Sequence, residues 1–260
     1  MPGIFCPRGG QLRIPAGRLT VRMTEDGGVV GDPVTPQLRM DLWPQWLMES
    51  IDAAAAMCAT HDELVADVAS LSDQRIGDLL DLELRTAMRT ITSSAFAVDA
   101  FYASVRSRSP EHPDHRRWRS SGRRTPRHVQ VFGTLHHALK IRRPGAGQMK
   151  DAIQELFKFR GWAVHADSAF QDPILREDVD RGVDWHYAAF RTDNALAVLH
   201  KTLQMLDVLI ELFDRGSEEL REWKPAARGF MDEVLDRYDA TPGLLALSRA
   251  RDDGSASPAE

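Results

Sequence analysis

Between Asp78 and Val105 apolar residues recur at helical spacing, at Leu79, Leu82, Ala87, Ile91, Ala95, Val98 and Tyr102. This is the strongest periodicity in the chain. A stripe so wide and rich in alanine predicts a long, mostly buried helix, and a buried helix needs other helices to cover it. The composition permits this: of 260 residues, 43% are hydrophobic and 27% charged, the balance of an ordinary globular protein with a sizeable core.

The remaining segments supply the covering elements. Gly9 to Val30 is rich in glycine and β-branched residues; Leu19, Val21 and Met23 alternate with Thr20 and Arg22 before Asp26-Gly27-Gly28, which predicts a small β-hairpin. Leu38 to Cys58 carries Leu42, Trp46, Leu47, Ile51 and Ala55 at helical spacing, with Pro44 in the first turn, and a second helical stretch follows through Val68. His128 to Lys140 is helical through Val131, Leu135 and Leu139, Arg142 to Gly147 reads as a turn, and Met149 to Ala166 is a helix carrying Ile153, Leu156 and Phe157. Asp172-Pro173 opens an acidic loop. Asp184 to Phe213 predicts another long helix stopped at Gly216, and Glu218 to Tyr238 a last, weaker one. Beyond Thr241 the chain is too polar and small to pack, and its end is expected to be disordered.

The expected fold is therefore mainly α, a helical bundle with a small N-terminal β-hairpin and extra N- and C-terminal helices. Its divisions are a hairpin segment at 1–36, N-terminal helices at 37–75, a bundle at 76–215, a C-terminal helix at 216–240 and a tail at 241–260. Cys6 and Cys58 lie far apart and form neither a disulfide framework nor a CxxC metal knuckle. With no leader-like start and no apolar run of about 18 residues, a soluble cytoplasmic protein without membrane attachment is expected.

The segment Phe159-Arg160-Gly161-Trp162-Ala163-Val164-His165 holds the chemistry-bearing pair, near the end of a predicted helix. A guanidinium is a permanently charged fork that fits phosphate oxygens, and an imidazole exchanges a proton near neutral pH. Together they are a minimal kit for breaking a phosphodiester without metal. Residues five apart on an α-helix point about 140° away from each other, so one straight helix does not aim both at one atom. Either Gly161 relaxes the helix, or two protomers bring their motif helices together across a two-fold axis. As ordinary structure, His165 is a helix-end cation complementing the dipole and Arg160 an ion-pair partner.

The order of elements around this pair is a long Ala-rich helix carrying Ala97-Val98-Asp99-Ala100-Phe101, a linker with a helix, the Arg160 to His165 helix and a long closing helix. It resembles the HEPN superfamily over roughly Asp78 to Phe213. Members of that superfamily are all-α bundles, many of them metal-independent endoribonucleases with an R-x4-6-H signature, to which Arg160 and His165 are similar. The position after the signature Arg is commonly Asn, Asp or His in active-looking members and is Gly161 here. The resemblance implies a homodimer with a composite cleft. It also implies a toxin or phage-defence setting in which an antitoxin or another protein is a partner. The alternative of the same fold is a non-catalytic helical dimer that binds RNA or a protein.

In the enzyme reading His165 deprotonates the RNA 2′-hydroxyl, the alkoxide attacks the adjacent phosphate, and Arg160 stabilises charge on the non-bridging oxygens. The product is a 2′,3′-cyclic phosphate. Asp99 is the candidate for orienting His165 or pairing with Arg160; otherwise it is a simple salt bridge or cap. Between Arg106 and His128 eight arginines face only Glu111 and Asp114, although the whole chain has a net charge of -5. Arg116, Arg117, Arg119, Arg123 and Arg124, with Trp118 among them, suit phosphate contact plus base stacking, against the plain alternative of a solvated insertion. His112, His115 and His128 match no metal-ligand interval, and no cofactor is expected. Packing roles are expected for His136, His137, His200, Trp162 and Trp185.

Overall fold

The computed structural model describes residues 10–14, 21–24, 26–31, 36–120, 125–165 and 170–244. They fall into two compact units, 1–42 and 43–260. In the first, strand β1 (Gln11–Arg13) pairs antiparallel with β4 (Gln37–Arg39), and β2 (Val21–Met23) pairs with β3 (Val29–Gly31), one hairpin nested inside the other pairing. Gly27, at φ 80°, supplies the left-handed residue that the β2–β3 turn needs. The expected hairpin is thus present, and an additional outer strand pair takes up Leu38, which the sequence reading had placed in a helix.

The second unit is a helical bundle. Helix α1 (Trp43–Ala66) runs unbroken where two helical stretches were expected; Pro44 sits in its first turn, where no amide hydrogen is missed. A 3-10 turn at Val68–Ser70 leads to α2 (Asp73–Arg106), whose 34 residues span about 50 Å. Ser72 caps α2 by accepting from the Arg75 amide, and Asp73 and Arg106 complement its dipole at the two ends. Small residues let α1 lie close: Ala53, Ala54, Ala87, Ala95 and Ala97 are all buried, and Ser50 Oγ donates to Thr90 O at 2.8 Å.

Helices α3 (His115–Ser120), α4 (Arg127–Ala138), α5 (Arg143–Val164), α6 (Trp185–Ala189), α7 (Thr192–Glu211) and α8 (Glu218–Asp239) complete the unit, with a two-stranded pairing of β5 (Ile174–Arg176) and β6 (Arg181–Val183) before α6. One core joins α1, α2, α4, α5, α7 and α8, so the first and last helices belong to the bundle itself. At its centre Trp43, Phe101, Phe213 and Trp223 pack with ring centroids 5.1–5.9 Å apart. No described helix is long and apolar enough to cross a membrane.

Several boundaries differ from the sequence reading. Arg142 to Gly147 is no turn: α5 starts at Arg143 with Pro144 in its first turn, and Gly145 and Gly147 have nothing near their missing side chains. The segment after Pro173 is a β-hairpin. The long helix expected from Asp184 is cut in two at Phe190 and Arg191, because Asp184 caps α6 while a buried carboxylate, Glu83, caps α7. Helix α8 is firmly built, burying Leu220, Trp223, Met231, Val234 and Leu235 on one face. The tail beyond Leu244 lies outside the described residues.

Candidate functional site

Helix α5 carries the arginine and ends at the histidine. It continues regularly through Gly161 to Val164, and the His165 amide donates to Gly161 O at 2.8 Å, so the glycine does not relax the helix. Arg160 and His165 therefore leave the helix in divergent directions. His165 is exposed at the C-cap, and its imidazole has no hydrogen-bond partner among the described residues. A Cβ at Gly161 would meet nothing within 4 Å, so the polar side chain found there in similar motifs is sterically admissible.

Arg160 is half-buried. Its Cζ lies 5.5 Å from the Phe96 ring on α2 and 5.9 Å from Phe157, while its Nε is buried without a hydrogen-bond partner. Among the described residues no carboxylate pairs with it. The other face of the same helix end is fixed by aromatic rings. Phe159 meets Trp162 and Phe190, and Trp162 meets Trp185 edge-on at 5.7 Å. These contacts hold the motif helix against α6, so Trp162 and Trp185 are packing residues.

Asp99 contacts neither motif residue. It accepts from Arg127 at the start of α4, with Nε 2.8 Å from Oδ1, and Arg127 also lies over the Tyr102 ring with its Cζ 4.5 Å from the centroid. The structure gives Asp99 a structural partner in place of an orienting role toward His165. Of the basic segment, Arg116 and Arg117 are exposed at the start of α3. The Arg119 side chain, Arg123 and Arg124 lie outside the described residues.

Trp118 does not present a free face. Its ring stacks on His112 at 4.4 Å, and a Cβ on Gly133 of α4 would come within 3.0 Å of it. His112 meets His137 edge-on at 5.0 Å, and burial followed by the neighbouring His137 pushes its pKa down. Arg108, counted in the basic run, turns inward over Trp223 with its Cζ 3.9 Å from the ring. His136 leans on Phe132, and His200, pushed down by burial, sits near Tyr238.

A second polar constellation escaped the sequence reading. Glu83 on α2, fully buried, accepts from Arg176 at 2.6 Å, from Thr192 Oγ1 at 2.6 Å and from the Thr192 amide at 3.2 Å; His61 Nδ1 lies 3.1 Å away. Arg176, 2% exposed, also pairs with Asp178. Burial works to raise the Glu83 carboxyl, but hydrogen bonds from Arg176 and Thr192 outweigh it and hold the group below its ordinary value. A signal was present in the sequence: Glu83 stands four residues after Leu79 and four before Ala87, on the apolar stripe, whereas Leu82 is 41% exposed.

Cavities of about 420 Å³ beside Arg176 and about 750 Å³ between α5 and α7 are lined by neither Arg160 nor His165. At the motif end of α5, Val164 and His165 are exposed while Arg160 and Trp162 are partly buried. No family model, curated protein or solved structure matches the chain.

Proposed function

We propose that the chain is a metal-independent endoribonuclease of HEPN type whose reactive pair is Arg160 and His165, working as a homodimer. One observation carries this reading: a solvent-facing imidazole ends the same helix on which a guanidinium sits over aromatic rings, and among the described residues neither has a carboxylate partner. Phosphate is the ligand such a guanidinium lacks.

The chemistry follows from these groups. His165 takes the proton of the 2′-hydroxyl, the oxygen attacks the neighbouring phosphorus, and the 5′-oxygen leaves as the 2′,3′-cyclic phosphate closes. Arg160 holds the non-bridging oxygens as charge builds on them. A straight α5 directs the two side chains about 140° apart, so the pair converges only when two copies of α5 meet and each contributes to one cleft. The same divergence is the reason for reading the protein as a dimer.

The test is incubation of the purified protein with RNA in EDTA, beside His165→Ala, with product ends analysed for cyclic phosphate and mass measured by sedimentation. A dimer that cleaves RNA and spares DNA is expected, with a loss of about 10²–10⁴-fold on removing the imidazole. A monomer, or equal cleavage by the variant, sinks the proposal. A stable dimer with no cleavage is the non-catalytic binding reading of the same fold.

A further inference from the structure

Three guanidinium groups follow one another along one partly exposed face of α2, at whose middle Tyr102 is buried. Arg160 rests over Phe96, Arg127 over Tyr102 and against Asp99, and Arg106 donates to Tyr102 Oη at 3.2 Å with its Cζ 5.3 Å from the ring. The positions they cover, 96, 99, 102 and 106, recur at three- and four-residue spacing and so lie on one face of the helix. From Phe96 to Arg106 the rise is about 15 Å. Each arginine comes from a different element, and Asp99 is the carboxylate set among them.

At the Phe96 end the line meets an aromatic pair. Trp46 of α1 lies 5.0 Å from Phe96, and Trp46 is 36% exposed while Phe96 is partly so. A row of cations ending beside an exposed tryptophan, backed by a partly covered phenylalanine, is the combination that holds single-stranded nucleic acid: the cations follow the backbone and the Trp46 ring takes a base. A duplex would bury its base faces and leave the rings unused. Trp118, the aromatic residue of the basic segment, is already covered by His112 and cannot serve in this way.

We propose that this stripe is the seat of single-stranded RNA, its phosphates on Arg106, Arg127 and Arg160 and a base over Trp46, backed by Phe96; the assignment rests on the RNA reading of Arg160 and His165. The stripe delivers the strand to the motif arginine, and Asp99 is a positioning residue that holds Arg127 in line. The carboxylate also weakens the site by partly neutralising that arginine. Removing its charge while keeping an acceptor for Arg127, as in Asp99→Asn, therefore strengthens binding, which a purely structural Asp99 would not do.

The measurement is anisotropy of a labelled unstructured oligoribonucleotide in EDTA, titrated at several salt concentrations against the full chain carrying His165→Ala, so that nothing is cut. In that background Arg106→Gln and Arg127→Gln each weaken binding several-fold and reduce the slope of log K against log salt by about 0.7. Asp99→Asn tightens binding and steepens the slope. Trp46→Leu, which keeps an apolar contact with Phe96, weakens binding about tenfold with the slope unchanged. Lys201→Gln on α7 changes neither. Thermal unfolding of each variant separates lost contact from lost fold.

Unchanged affinity and slope in both arginine variants overturn the proposal, as does preference for a hairpin duplex of the same length or an Asp99→Asn variant that binds more weakly while fully folded. Its failure is distinguishable from that of the nuclease reading. Stripe-dependent binding by a parent chain that never cleaves leaves the stripe standing and removes the enzyme, whereas cleavage by the parent with stripe-independent binding does the reverse.

Discussion

The surroundings of Glu83 and the end of α5 handle charge in opposite ways. Around Glu83 the principal charges are answered: the carboxylate receives Arg176 and two donors from Thr192, and Arg176 receives Asp178 in turn. At the end of α5 an arginine Nε is buried without a partner, and an imidazole stands in solvent. A satisfied buried network positions chain segments and resists change. A guanidinium with an unsatisfied Nε and an imidazole with no partner among the described residues do little for stability and suit a ligand. The contrast fits scaffolding for the first region and the proposed chemistry for the second.

Breaking the first region gives the largest effect. Glu83→Gln leaves buried Arg176 with Asp178 alone as its carboxylate partner among the described residues, and a loss of about 3 kcal/mol in chemical denaturation is expected. An unfolding midpoint close to that of the parent would return Glu83 to an ordinary surface role. Acid should do the same work gradually. Because the folded pKa lies below the ordinary 4.5, the stabilisation is complete above that value and is lost as pH falls through the depressed one. Denaturation from pH 6 downward should show a decline that Glu83→Gln makes shallower, the remainder coming from other depressed carboxyls such as Asp178 and Glu211.

The second region sharpens the comparison through small numbers. Gly161→Ala places a methyl in open space within a regular helix and should stabilise by about 0.5–1 kcal/mol, a gain visible in the unfolding midpoint. A loss would mean that another copy of the chain already occupies that space in solution. His165→Ala, exposed and unpartnered, should shift stability by no more than about 0.5 kcal/mol. A larger cost would show that the imidazole is structural.

The same two regions explain what the sequence displayed. The apolar stripe on α2 is legible because it repeats at helical spacing along one continuous segment. Glu83 was passed over for Leu82, since a carboxylate reads as a solvated position until its partners are known, and these are 93 and 109 residues away. Strands β5 and β6 have three residues each, too short to show alternation. Pro144 was taken as a turn residue although a helix start accepts proline equally well. Trp118 was read as a free aromatic because nothing in its neighbourhood announces the groove at Gly133 that receives it.

The distance of Glu83 from its partners has a consequence during synthesis. Helices α1 and α2, with His61 already beside Glu83, are complete before Arg176, the permanently charged partner, exists, and Thr192 follows 109 residues after Glu83. At 5–20 residues per second that is an interval of roughly 5–20 s, during which a paired hairpin of helices carries an ionised group on its apolar side. An ionised carboxylate on that side disfavours its burial until Arg176 and the start of α7 can answer it.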